Sequence, residues 1–290
     1  MRSLRRLLAV IPMAAAAMTI TTGALAVPVI TWDAAFDNGF DQSETVQNGQ
    51  NFQFLDPNPV PPHNDTYLTL AWGIPGSLAT NPTQEQSRLE VSQGVYAGGD
   101  SVEVVTNGGP VDTIGITHFN NAILCSGVPA GGVCPALQST VLRSNLTLTA
   151  IDPDLGILGS VTESFEIEFV ETRNLQPCFG DVDSICDDIF VLLNPFDLEF
   201  DIDVGGTIHT VIIGATLIGG NPLGTLSNEA CAEAGLAAGC IGFQTVEGGE
   251  NTVIANIEII TQQEAPEPGT LAMLGALLVA GGIATRRRIG

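Results

Sequence analysis

Apolar and polar residues alternate one by one along much of the chain. Phe196, Leu198, Phe200, Ile202 and Val204 are interleaved with Asp197, Glu199, Asp201 and Asp203. Phe165, Ile167 and Phe169 alternate with Glu166 and Glu168, and Val253, Ala255, Ile257 and Ile259 repeat the pattern. So do Leu68, Leu70 and Trp72, and Leu142, Ser144, Leu146 and Leu148. A period of two gives a strand one buried and one wet face, as in antiparallel sheets with a solvated side. Turn clusters separate the runs: Asn58-Pro59, Asn107-Gly108-Gly109-Pro110, Gly205-Gly206 and Gly248-Gly249. Gly205-Gly206 parts two apolar runs by two residues and predicts a tight hairpin whose return strand is 207–218. About a dozen short strands follow, and the expected fold is all-β: an antiparallel β-sandwich of jelly-roll type. Only residues 229–238 have a helical composition, through their alanines.

The two ends depart from this pattern. Arg2, Arg5 and Arg6 precede an apolar stretch and then Ala24-Leu25-Ala26. That order describes a secretory signal peptide over residues 1–26. The apolar run is interrupted by Pro12, Thr19, Thr21 and Thr22, which argues against a permanent membrane helix. At the other end come Pro266-Glu267-Pro268, an apolar helix over about 270–285, and Arg286-Arg287-Arg288. The arginines are expected on the cytoplasmic side, so the body lies outside the membrane. A 17-residue span from 269 to 285 is about 26 Å long as a helix, short of a hydrocarbon core of about 30 Å. Glycines at 269, 275, 281 and 282 soften it further. A transient hold followed by cleavage fits better than a lasting anchor. The organisation expected is a leader (1–26), an acidic β domain (27–261), and a linker with its tail (262–290).

The tripartite tail, paired with a leader, resembles the PEP-CTERM sorting signal. That resemblance implies recognition by an exosortase, a membrane cysteine transpeptidase, with processing near Pro266, Glu267 and Pro268. It also implies a bacterium with two membranes that makes exopolysaccharide and a biofilm matrix. Thr117-His118-Phe119-Asn120 is similar to the signature of the THxN family of PEP-CTERM proteins. No activity comes with that signature for Thr117, His118 or Asn120. From the residues themselves, Ile114, Ile116 and His118 share a strand face, so His118 is expected inward, bonding a neighbouring backbone or the Asn120 amide.

Charge narrows the partners. Between residues 27 and 268 there are 32 acidic residues, three arginines (Arg88, Arg143, Arg173) and no lysine, for a net charge of −29. Nucleic-acid binding needs basic side chains against phosphate, and is excluded as an expectation. Acidic polysaccharides and anionic lipids are disfavoured unless divalent cations bridge them. The six cysteines suit an oxidising compartment. They fall as Cys125/Cys134, Cys178/Cys186 and Cys231/Cys240, so three local bridges lead over a zinc site, whose usual spacings are absent.

Candidate chemistry is sparse. Asp181, Asp183, Asp187 and Asp188 surround Cys186, and Asp152 and Asp154 flank Pro153. Either group of carboxylates could ligate Ca²⁺, although neither has EF-hand spacing. The first is the better metal candidate. Imidazole bases are limited to His63, His118 and His209, and no nucleophile elbow or His-Glu-x-x-His is present. No catalytic residue is assigned. The leading expectation is a non-enzymatic structural protein of the surface or extracellular matrix, associated with biofilm and exopolysaccharide, and held at the membrane by its tail before release. The alternative is a carbohydrate-binding module, Ca²⁺-assisted or not, with Trp32, Trp72, Tyr67 and Tyr96 as the aromatic side chains available as platforms, of which Trp72 is expected in the core by its alternation with Leu68 and Leu70. A glycosidase-type hydrolase ranks third.

Overall fold

The computed structural model describes residues 30–48, 51–58, 65–74, 86–96, 98–121, 123, 136–172, 187–194, 198–217, 223–246 and 248–261. The leader, the sorting tail, Cys125, Cys134, Cys178, Cys186, Asp181, Asp183, Arg173 and His63 lie outside these residues. The described part is overwhelmingly β. In chain order its strands are β1 (Thr31–Asp41), β2 (Val46–Gln47), β3 (Gln53–Pro57), β4 (Thr66–Trp72), β5 (Ser87–Val91), β6 (Ser101–Val105) and β7 (Val111–Phe119). Then come β8 (Leu137–Asp152), β9 (Asp154–Val170), β10 (Asp188–Leu192), β11 (Leu198–Val204), β12 (Thr207–Leu217) and β13 (Gly224–Thr225). One short helix, α1 (Asn228–Glu233), precedes β14 (Ile241–Thr245) and β15 (Glu250–Thr261). No helix among the described residues is long and apolar enough to cross a membrane.

All strands belong to one antiparallel sheet, in the order β11-β12-β15-β7-β5-β4-β1-β8-β9-β10-β14-β13, with β2, β3 and β6 paired off this path. The sheet curls until its two halves face each other. Four contacts show the closure. The Trp72 ring of β4 and the His118 ring of β7 each lie 4.9 Å from the Phe169 ring of β9. Trp32 of β1 meets His209 of β12 edge-on at 5.5 Å. The Ile202 side chain of β11 packs over Gly159 of β9. Between the halves lies a single large apolar cluster fed by the alternating positions. Leu142, Leu146 and Leu148 are inside it, as are Phe165, Ile167 and Phe169, and Val253, Ala255, Ile257 and Ile259. Period-two burial thus does what the pattern predicted.

β1 is the strand that joins the halves. Along one side it pairs with β8 from Thr31 to Phe40. Along the other it pairs first with β6, through Thr31 to Ala35, and then with β4, through Phe40 and Asp41. At that exchange the Thr66 side chain of β4 fills the space a side chain on β1 would need. A Cβ on Gly39 would lie 2.1 Å from the Thr66 hydroxyl and 2.6 Å from its Cβ.

The Gly205-Gly206 hairpin forms as expected. Val204 pairs with Thr207, and both glycines have positive φ, 62° and 89°, which two-residue turns of this hand require. The β8–β9 hairpin differs from the expected short strands, with 16 and 17 residues. Gly156 and Gly159 and two register shifts, between Leu148 and Thr149 and between Ala150 and Ile151, are absorbed within the ladder, and the pairing continues to the tip at Asp152, Pro153 and Asp154. The helix falls inside the segment of helical composition. Ser227 caps it, its hydroxyl accepting from the Ala230 N–H at 3.1 Å. Cys231 and Cys240 form a disulfide across the following turn. A small satellite cluster of Val170, Ile189, Val191 and Ala230 seats this helix on the outer face of β9 and β10.

Replacing Gly39 by alanine is expected to cost about 1–3 kcal/mol, because β1 and β4 must separate to admit the methyl group. Urea unfolding of the two proteins measures this. An unchanged midpoint would show that the exchange at β1 tolerates a side chain.

Candidate functional site

The signature residues Thr117, His118 and Asn120 lie at the end of β7, and their side chains part to opposite faces. Thr117 points outward and shares a hydrogen bond with Thr252 of β15, hydroxyl to hydroxyl at 2.9 Å. Asn120 is buried. Its side-chain amide donates to the Thr245 carbonyl at 2.7 Å. Its backbone N–H donates to the Gly249 carbonyl at 2.9 Å, and its carbonyl accepts from the Gly248 N–H at 2.7 Å. These three bonds hold the connection that carries the chain from β14 to β15, from one half of the sheet to the other.

His118 faces inward with Ile114 and Ile116, and none of it is exposed. The expected bonds to backbone or to Asn120 do not form. The Asn120 amide is taken by Thr245, and neither ring nitrogen of His118 has a hydrogen-bond partner. The imidazole instead lies parallel to Trp72, with ring centroids 6.1 Å apart, and edge-on to Phe169. Trp72 is fixed in turn by its indole N–H, which donates to the Glu171 carboxylate at 2.7 Å. The Asp188 carboxylate is 3.7 Å from His118 Nε2, beyond hydrogen-bonding distance. Burial outweighs that attraction and holds the imidazole neutral, with its pKa lowered to about 3. His209 is also buried, donating to or accepting from the Thr261 hydroxyl through Nδ1 at 3.1 Å. Burial lowers its pKa too. Both imidazoles are therefore sealed from solutes.

The carboxylates divide between surface and interior. Asp187 and Asp188, two of the four candidate Ca²⁺ ligands, are buried at the start of β10 and not displayed on an open loop. Asp188 accepts from the Thr172 N–H at 2.9 Å. Asp181 and Asp183 are outside the described residues, and among the described residues no three His, Cys, Asp or Glu side chains converge as a metal set. Asp152 and Asp154 sit exposed at the β8–β9 tip. Glu168, half-covered and beside Glu166, is held above the usual carboxylate range, chiefly by burial and then by that neighbour. Both described arginines of the body are committed within the chain. Arg143 is paired with the buried Asp41. Arg88 is paired with Glu90 and lies over the Phe119 ring at 3.7 Å.

Of the four candidate aromatic platforms, Trp32 is corrected, while Trp72 is in the core as its alternation predicts. Trp32 and Trp72 are fully buried core residues. Trp32 closes one end of the core, its indole N–H donating to the Thr106 hydroxyl at 3.0 Å. Tyr96 is exposed and Tyr67 half-buried. Of the cysteines, Cys231 and Cys240 are paired as expected, and the other four lie outside the described residues.

One feature has no motif in the sequence. A groove of about 380 Å³ runs beside β1 and is lined by Ala35, Asp37, Gln93, Asp100, Asn145 and Thr147. Register brings these residues together: Ala35 lies opposite Thr147 and Asp37 opposite Asn145. No family model matches this chain, and no curated protein matches it.

Unfolded His118 titrates near 6.5 and folded His118 near 3, so the unfolded state binds a proton first as pH falls. Its contribution to stability is complete above about 6.5 and is lost between there and 3, by up to about 1.4 kcal/mol per pH unit. His118→Leu is expected to flatten urea-derived stability between pH 7 and 5 relative to the parent; parallel pH profiles would disprove it. Asn120→Ala is expected to cost about 1–3 kcal/mol at neutral pH by stranding the Thr245 carbonyl, read by the same unfolding measurement, with loss below the error refuting the role.

Proposed function

We propose that this chain is an exported structural protein, sorted by an exosortase through residues 266–290 and delivered to the cell surface or extracellular matrix. The observation that carries the reading is the ordered tail of Pro266-Glu267-Pro268, apolar stretch and Arg286-Arg287-Arg288, paired with the N-terminal leader. In this reading the curled sheet is a β-sandwich of jelly-roll type, and its role is mechanical and adhesive, not catalytic.

The domain's chemistry supports such a destination. A disulfide at Cys231–Cys240 is formed and kept in oxidising compartments. Acidic side chains on the wet faces of β9 and β11 keep it soluble and separate from its neighbours. Outward charges on β11, the edge of the sheet, discourage strand-to-strand aggregation. Both described histidines are buried and take no part in the outer faces.

Deletion of residues 266–290 is expected to abolish retention at the cell envelope and send the domain to the periplasm or medium. Fractionation and immunoblotting of cells that carry an exosortase measure this. Identical distribution of the truncated and full chains would refute the sorting reading.

A further inference from the structure

We propose, on the strength of the sorting reading, that the end of the sheet where β8 turns into β9 rests on a zwitterionic lipid surface while the tail is in the membrane. Of the nine large apolar side chains exposed among the described residues, five gather at this end: Val105, Ile151, Leu155, Ile157 and Ile208. Ile157 is the most open, at 71%. Register brings them together. Val105 of β6 lies opposite Thr31 of β1, and Thr31 opposite Asp152 of β8. Ile151 lies opposite Asp154 of β9, and Ile157 opposite Thr149. Ile208 belongs to the facing half of the sheet, and its neighbour His209 reaches Trp32 of β1 at 5.5 Å. Single exposed apolar residues are ordinary, but a group of them at one end marks an interaction surface.

The two ends of the β domain identify the occupant. Thr261, the last residue of β15, donates its N–H to the Asn107 side chain at 3.1 Å. Thr106, beside Asn107, donates its N–H to the Ile30 carbonyl at 2.9 Å. Both ends are thus fastened to the turn after β6, next to Val105. From residue 261 the chain has eight steps to the apolar stretch at 269–285, a reach of at most about 30 Å. β8 alone, at 16 residues, is about 50 Å long. The tether is shorter than the domain, so a tail in the bilayer keeps this end nearest the lipid. The leader stops at residue 26, four positions before Ile30, and brings the same end to the membrane during export.

Charge sets the kind of lipid. Asp152, Asp154 and Asp203 stand exposed at this end, and Asp33 and Glu103 form the next outward pair along β1 and β6. Arg88 and Arg143 are paired elsewhere, so no described basic side chain offsets these acids. Anionic headgroups are repelled by such an end. Zwitterionic headgroups admit apolar side chains to the boundary of the acyl chains and leave the carboxylates hydrated among them. The contact is therefore shallow. Its consequence is positional: the domain stands over Pro266-Glu267-Pro268 in one orientation while a membrane enzyme acts there.

The test uses the full chain, isotope-labelled, purified from exporting cells with its tail in place, and reconstituted in phosphatidylcholine nanodiscs that carry a gadolinium-chelating headgroup lipid. Co-elution with the discs reports the tail. Amide broadening is expected to be strongest at Val105, Ile151, Leu155, Ile157 and Ile208 and absent at Val46 and Val246. Leu155→Ser combined with Ile157→Ser should weaken the contact roughly tenfold. Both positions are exposed, so the double variant should melt with the parent. Phosphatidylglycerol added to the discs should reduce the broadening. The proposal is overturned by equal broadening in parent and double variant, or by broadening that grows with phosphatidylglycerol. It is also overturned if this end instead pairs with a second copy, seen as concentration-dependent dimerisation in detergent that the double variant abolishes. If parent and variant alike elute apart from the discs, the tail reading falls and the docking with it, whereas the other adverse outcomes refute the docking alone.

Discussion

Everything in this fold depends on one strand being shared. β1 is hydrogen-bonded to β8 along nearly its whole length and divides its opposite edge between β6 and β4. A flat sheet has no use for such a division. Here it sets the point at which the sheet turns, and Gly39 lets the turn be tight. Once β1 is placed, β4 and the strands beyond it are carried over β8 and β9. The apolar faces of the two halves then meet, and Trp72, His118 and Phe169 fill the space between them. The groove is a by-product of the same division. Where β1 leaves β6, Phe36 and Asn38 tie it to the segment carrying Gln93 and Asp100.

What could be read from the sequence was whatever has period two. Each alternating run became a strand, and the apolar member of each pair went inward. Gly205-Gly206 announced its own turn because only positive φ fits a two-residue hairpin of that hand. Trp32 was legible in principle as well. Ile30, Trp32, Ala34 and Phe36 alternate with Thr31, Asp33 and Ala35, which is the signal that put Trp72 in the core. The partners of His118 were not legible. Asp188 and Phe169 reach it from strands 70 and 51 positions away, and local pattern carries no information about register at that distance. The groove was invisible for the same reason. Asp37 reads as one more outward acid, and only its pairing with Asn145 and its contact with Asn58 distinguish it.

The acidic balance acquires a structural meaning once these positions are known. Most carboxylates occupy outward positions, where water solvates them at little cost. A minority, among them Asp37, Asp41, Glu171, Asp187 and Asp188, are buried. Each carries an identified partner: Asn58 for Asp37, Arg143 for Asp41, Trp72 for Glu171 and Thr172 for Asp188, while Asp187 too makes contacts within the chain. Buried charge is tolerated where donors meet it.

The signature at the end of β7 can be understood in the same terms. β14 and β15 are consecutive in the chain yet lie in opposite halves of the sheet. The connection between them must span the gap between the two halves. Asn120 supplies partners to three of its backbone groups, and Thr117 ties the adjoining strand. Asn251 reinforces the crossing by donating to the Gln244 carbonyl at 2.7 Å. His118, between Thr117 and Asn120, turns inward and contributes only volume and an aromatic face. Asparagine suits its position because one side chain and its own backbone present donors and an acceptor within a single residue. A chain bearing this motif at a strand end can close a curled sheet without burying unpaired carbonyls. The motif is thus intelligible as a clasp for the fold, with no need of chemistry at the imidazole.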